Sequence, residues 1–261
     1  MSLADRPPLI IHAGFHKTGT TSVQNALDAN RAALHPWRVL LKPHIADLCA
    51  ATKRYARTEG AVARDLVLST ARATLAKTPP CPTIISAEDL TGLIPGRMGR
   101  RGYPAAIDLL TALIQALPDY APHIFLSTRS ATPWLKSCHA HHLRHTRFCE
   151  DLESYTASQS GDADLNALAR TIAATLAPVP VSHASLDDTA GSSHGPLTPL
   201  LDLMEVAETI RAALHPVPHT NASLPAHILD ALLELNQSDL DDATLTARKR
   251  ALIAAHRRTN P

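Results

Sequence analysis

The chain has 261 residues, enough for one large domain or two small ones with a substantial buried core. Its 25 Lys and Arg against 24 Asp and Glu leave a formal charge of +1, which argues against broad attraction to nucleic acid or an anionic membrane but leaves local anion sites open. The four cysteines, Cys49, Cys81, Cys138 and Cys149, form no Cys-x-x-Cys pair and are too sparse for a disulfide scaffold, so reduced thiols are expected.

Met1 to Pro8 holds no apolar signal core, and nowhere does an apolar run approach the ~20 residues of a membrane span. A soluble cytoplasmic protein is the expectation. Leu9, Ile10 and Ile11 then form an apolar strand that meets a loop holding Gly14, Lys17 and Gly19, and the hydroxyl residues Thr20, Thr21 and Ser22 lead into helical spacing at Val23, Ala26 and Leu27. Gly14 and Gly19 accept backbone angles that side chains forbid, so successive N–H groups can converge on one anion at the positive end of the helix dipole. The loop reads as a phosphate cradle. A Walker loop carries its lysine directly after the second glycine; here Lys17 lies inside the loop and Thr20 follows Gly19.

The first helix is expected over about residues 22–33, and Trp37 to Leu41 is a short strand closed by Pro43. Helical spacing runs from Asp47 to about Lys77 with an interruption near Gly60. Thr83 to Ser86 is a third strand, apolar throughout as in sheets covered on both faces, with Glu88 and Asp89 just beyond its end. Gly92 to Gly102 is expected as a loop over the site, before a helix carrying Ile107, Leu110, Ile114 and Leu117. His123 to Arg129 is the fourth strand. Thr132 followed by Pro133 signals a helix start, and that helix extends to about Arg147. Asp162 is expected to cap the next helix, Pro178 to His183 to form a proline-weakened fifth strand, and three helical patterns to close the chain at about 197–214, 225–236 and 243–257.

Short apolar strands alternating with helices predict a three-layer α/β/α fold: a central, mostly parallel sheet of about five strands, of P-loop nucleotide-binding type, in a single domain over 1–261 with a helical C-terminal third. Ligands of such sheets sit at the strands' C-terminal edge, where Lys17, Glu88 and Arg129 should converge.

Gly14-x-x-Lys17-Thr18-Gly19-Thr20-Thr21 resembles the 5′-phosphosulfate loop of sulfotransferases that use 3′-phosphoadenosine-5′-phosphosulfate (PAPS), particularly bacterial members and the domains that act on heparan sulfate. Ser127 to Ser137 resembles the family's 3′-phosphate motif, an arginine ending a strand with a serine eight positions on. Weaker likeness covers Phe148 to Tyr155 and Asn221 to Pro225, and one departure is that Val181 to Ser185 lacks the acidic residue such proteins often carry after the fifth strand.

The resemblance implies that Lys17 neutralises the bridging oxygen between phosphate and sulfate, that Gly14, Thr18, Gly19, Thr20, Thr21 and Ser22 hold the 5′-phosphate, and that Arg129 and Ser137 hold the 3′-phosphate. It implies Glu88 as general base, with His16 as the second candidate. Glu88 and Asp89 alternatively cap the following turn, or Asp89 imitates a Walker B acid. The family uses lysine where kinases use magnesium, so no metal is expected. His139, His141, His142 and His145 read as a histidine-rich helix lining the acceptor pocket rather than a metal site, and Arg248 to Arg250 with Arg257 and Arg258 read as a solvated face. The expected partner is a small-molecule or carbohydrate acceptor, with no nucleic acid and no membrane insertion. A nucleotide kinase or ATPase with an atypical loop, and a binding protein without chemistry, are the rival readings.

Overall fold

The structure is a computed structural model describing residues 5–189, 191–216 and 224–259. In chain order the apolar runs and helical patterns build β1 (Pro8–His12), α1 (Thr20–Ala29), β2 (Arg38–Leu41), α2 (Ala46–Thr58), α3 (Ala61–Leu75), β3 (Thr83–Ser86), α4 (Ala106–Ala116) and β4 (Ala121–Thr128). There follow α5 (Ala131–His145), α6 (Leu152–Gln159), α7 (Leu165–Leu176), β5 (Val181–Ser185), α8 (Thr198–Leu203), α9 (Glu208–Arg211), α10 (Ala226–Gln237) and α11 (Asp242–Thr259). Among the described residues no helix is long and apolar enough to cross a membrane.

The strands form one sheet in the order β2-β3-β1-β4-β5, and every pairing is parallel, with Ile11 opposite both Ile85 and Ile124. The chain therefore crosses to the far side of β1 between β3 and β4. That change of side is where open α/β sheets bind ligands.

Alternate residues of each strand point to opposite layers, as a period of two requires. Leu9, Ile11, Ile85, Ile124 and Leu126 join one core with Leu48 of α2, Val67 of α3, Leu110 of α4 and Ile172 of α7. Ile10, Ile84, Val39, Leu41 and Phe125 join the other with Val23 and Leu27 of α1 and Leu200 and Leu201 of α8. A third cluster packs Leu143 of α5 against Ile228 and Leu232 of α10. The expected three-layer α/β fold is present, and its sheet is parallel throughout.

Several local expectations differ from what forms. The first helix starts at Thr20 and ends at Ala29. The fourth strand's following helix begins at Ala131, not at Pro133. Asp164, rather than Asp162, caps α7, accepting from the Ala167 N–H at 2.9 Å. The fifth strand lies at Val181–Ser185, clear of Pro178 and Pro180. The pattern over 197–214 breaks into α8 and α9 because Glu205 takes a left-handed φ of 53°. Helix α6 was expected by no periodicity, and Asn221 to Ser223 lie outside the described residues.

Leu200 is fully buried, so Leu200→Ala is expected to lower unfolding free energy by about 2–5 kcal/mol. Urea denaturation checks this, and a loss under about 1 kcal/mol would mean that α8 contributes little to the second layer.

Candidate functional site

The site is built on a buried polar bridge. His12, the last residue of β1, has no exposed surface, and its ring lies 2.8 Å from Ser86 Oγ at the end of β3 and 2.7 Å from Ser127 Oγ near the end of β4. Burial drives its pKa down to about 4, against the opposing pull of the Glu88 charge. The imidazole is therefore neutral at pH 7, with one N–H to donate and one nitrogen to accept, and the two hydroxyls take the complementary roles.

Directly above this bridge, Gly14 is packed so closely that a Cβ would lie 2.8 Å from Thr20 Cγ2 and 2.9 Å from both His12 Nε2 and Ser127 Oγ. The loop is then held at several points. The Phe15 N–H donates to Ser127 O at 3.2 Å, Thr18 Oγ1 donates to Phe15 O at 2.5 Å, and Trp134 Nε1 from α5 donates to His16 O at 2.9 Å. The His16 N–H donates to the Tyr103 hydroxyl at 2.8 Å. Gly19 precedes α1 with φ 89°, and Thr20, Thr21 and Ser22 form the helix's first turn, so their N–H groups face the loop with no intrahelical acceptor.

Lys17 sits at the crest with φ 67°, a left-handed conformation that costs a residue with a Cβ about 1–3 kcal/mol and gathers at functional sites. Burial depresses its pKa, and the Arg144 and Arg129 charges press the same way against Cys138 and Glu88. Among the described residues Lys17 forms no ion pair with a carboxylate.

Arg129 follows the end of β4 and comes to the same loop, its Nη1 donating to Lys17 O at 3.4 Å. Its Nε is buried without an acceptor. Asp187, which follows β5 and feels the Arg129 charge, accepts instead from the Ser130 N–H at 2.8 Å and the Ser130 hydroxyl at 2.6 Å, fixing the entry to α5. An acid thus stands just beyond the strand that ends at Ser185. Ser137 lies two turns into α5, half-buried.

The acids lie on the other side. Glu88 Oε1 is 2.6 Å from Lys42 Nζ, and Gln24 Nε2 of α1 donates to Oε2 at 3.1 Å. Burial alone would raise the Glu88 pKa, but the Lys42 and His16 charges and the Lys42 hydrogen bond outweigh it and hold the carboxyl below its ordinary value. Desolvation therefore does not make Glu88 a stronger base than a free carboxylate. Asp89 contacts Lys42 and Lys53, each at 3.4 Å, and His16 Nε2 at 3.7 Å. Burial pushes Asp89 up, while the His16 ring and both lysines together bring it well below the usual carboxylate range.

The histidine-rich stretch of α5 divides. His139 Nε2 bonds Glu150 O at 2.9 Å and His142 Nε2 bonds Pro95 O at 2.7 Å, so these two face backbone carbonyls. The His141 and His145 rings lie 4.5 Å apart, tilted by 40°, and burial lowers both pKa values, with Lys17 among the contributing charges. Among the described residues no three or more His, Cys, Asp or Glu side chains are grouped to hold a metal ion. Residues 92–102, expected as a loop over the site, pack against α5 and α6, strapped down where Tyr155 Oη donates to Pro95 O at 2.9 Å and Gly102 N to Gln159 Oε1 at 3.3 Å.

Sequence reasoning did not find His12, Ser86 and Ser127, although one signal was available: each is a polar residue at or near the C-terminal end of an otherwise apolar strand. Lys42, Gln24 and Tyr103 carried no comparable signal.

The chain belongs to the sulfotransferase family: a profile described as a sulfotransferase domain matches residues 9–177, which contain the loop, both acids, Arg129 and Ser137. Among solved structures it is similar to a sulfotransferase from Alicyclobacillus acidocaldarius, at 14% identity and a TM-score of 0.48 over 96% of this chain and 95% of that one. A search of the curated proteins finds no match.

Because His12 is neutral when buried but takes a proton near pH 6.5 when unfolded, the unfolded state binds more protons between pH 6.5 and about 4. Stability from this residue is complete above that window and falls as the pH drops through it, by about 3 kcal/mol in all. His12→Asn is expected to remove that share of the pH dependence. Denaturant titrations at pH 7 and pH 4.5 on both proteins check this, and parallel losses in the two would contradict it.

Proposed function

We propose that this sulfotransferase-family protein moves a sulfuryl group from PAPS to a hydroxyl or amine of an acceptor and releases adenosine 3′,5′-bisphosphate. The carrying observation is two cations without a carboxylate ion pair among the described residues that meet at one loop: Lys17 within it, and Arg129 from the end of β4 with its buried, partnerless Nε. Two unmatched charges at the switch point of a parallel sheet fit a ligand with phosphate at both ends of an adenosine.

The bound donor supplies an activated sulfur whose bond to the bridging phosphate oxygen breaks as the acceptor's bond forms. Lys17 neutralises charge developing on that oxygen, and its left-handed backbone sets the direction in which the side chain leaves the loop. The free N–H groups of Thr20, Thr21 and Ser22, with Gly14, Thr18 and Gly19 shaping the turn, hold the 5′-phosphate. Arg129 and Ser137 hold the 3′-phosphate.

Glu88 takes the acceptor's proton. Lys42 and Gln24 orient its two oxygens, and its depressed pKa keeps it ionised in mild acid. His16, held against Tyr103 and Asp89, is the second candidate. The free cysteines accord with a reducing compartment such as the cytoplasm.

Lys17→Ala is expected to lower turnover by about a hundredfold or more in a protein that still folds; unchanged turnover would remove its catalytic assignment. Arg129→Ala is expected to weaken adenosine 3′,5′-bisphosphate binding by about 1.5–3 kcal/mol and to leave adenosine 5′-monophosphate binding as it was. Calorimetry measures both, and the same titration with ATP, with and without a chelator, tests the kinase reading: magnesium-dependent ATP binding with no preference for a 3′-phosphate would favour it. Glu88→Gln is expected to reduce kcat at least about a hundredfold with little change in bisphosphate affinity. In the unaltered protein the acid limb of the kcat–pH profile should lie below the ordinary carboxylate pKa, because Glu88 loses its charge only there; a limb near pH 6–7 would point to a histidine instead.

A further inference from the structure

The last turn of α5 and the inner side of α11 enclose a cleft of about 860 Å³, within the roughly 300–1,000 Å³ of small-molecule sites. Six Lys or Arg residues line it, and Asp242 is its one carboxylate. The chain as a whole is almost charge-balanced at 25 against 24, so composition does not account for this concentration.

The cations divide by task. Arg147 pairs with Asp242 at 3.1 Å and donates to Ser238 O at 2.8 Å. Lys249, only 5% exposed, donates to Thr146 O at 2.8 Å and Asn236 Oδ1 at 2.7 Å. These two brace the cleft. Arg144, Arg250, Arg257 and Arg258 make no ion pair among the described residues, and Arg144 Nε is buried without an acceptor. Leaving a guanidinium N–H buried and unpaired is unfavourable unless a ligand completes it. Leu245 and Ile253 add apolar wall between the charges. The cleft shares helix α5 with the transfer site: Arg144 and His145 of its last turn line the cleft, and Trp134 of its first turn donates to His16 O in the Lys17 loop. Within the basic run of α11 only Lys249 turns inward; Arg248, Arg250, Arg257 and Arg258 are exposed as expected, and the last three stand along the wall of the cleft.

We propose that this cleft is the acceptor subsite, and that the acceptor is a small molecule carrying two or more carboxylate or sulfate groups beside the hydroxyl or amine that is modified. The inference rests on the sulfotransfer reading above and adds the acceptor's chemical class. Arg144 and Arg257 grip acidic groups while the apolar wall carries the body of the molecule, leaving its reactive end toward Lys17.

The test titrates trigalacturonate, and cellotriose as its uncharged counterpart, into the full chain saturated with adenosine 3′,5′-bisphosphate. Trigalacturonate is expected to bind with an affinity that falls as salt rises, and cellotriose to bind at least tenfold more weakly. The double variant Arg250→Glu, Arg257→Glu, changed at two exposed positions, should lose at least tenfold in trigalacturonate affinity while binding the bisphosphate as before. Equal binding of the two saccharides, or trigalacturonate binding untouched by charge reversal, would overturn the acceptor class and leave the sulfotransfer reading standing. Failure of the unaltered protein to bind the bisphosphate would overturn both.

Discussion

A neutral imidazole with two hydroxyl partners ties the C-terminal ends of three neighbouring strands into one plane, and the site depends on that bond pattern. His12 reaches β3 through Ser86 and β4 through Ser127, so the strand bearing the loop, the strand preceding Glu88 and the strand preceding Arg129 end in fixed relation. The arrangement favours the uncharged ring, because a proton there would place a charge where burial strips it of solvation. Gly14 lies against the same ring and hydroxyl, which is why the loop must begin with a residue that has no side chain.

Above that floor, charge is sorted in space. Glu88 and Asp89 are matched by Lys42 and Lys53 on one side, and their depressed pKa values mark a satisfied network. Across the loop, burial and the Arg144 and Arg129 charges depress Lys17, and the Nε of each of those arginines is buried without an acceptor. A folded protein tolerates such an imbalance when stabilisation elsewhere exceeds it, and here two hydrophobic layers cover both faces of the sheet. The imbalance also separates the roles of the two carboxylates. Asp89 is surrounded by cations, whereas one Glu88 oxygen answers to a neutral amide.

Much of this was legible in the sequence because its signals are local. An apolar run, two glycines and a lysine at one offset identify the loop, and Arg129 at the end of an apolar strand falls on the same sheet edge once the strands are taken as parallel. What was not legible depends on distant pairs. His12 and Ser127 are 115 positions apart, and Lys42 precedes Glu88 by a strand and two helices. Helix α6 escaped notice because Tyr155 and Gln159 are its only buried residues, too few to set a period. The break between α8 and α9 escaped because no glycine or proline marks it; Glu205 supplies the left-handed turn instead.

Helix α5 links regions that the sequence treats separately. Its 15 residues make a rod about 22 Å long. Trp134 near one end clamps the loop at His16 O, His142 further along clamps Pro95 O, and Arg144 at the other end faces the basic cleft. A rod held at two separated points transmits tilt as well as position. The Lys17 loop and the basic cleft therefore share a single mechanical reference, and a replacement anywhere along this helix that changes its angle alters the spacing between the two rather than the shape of either one alone.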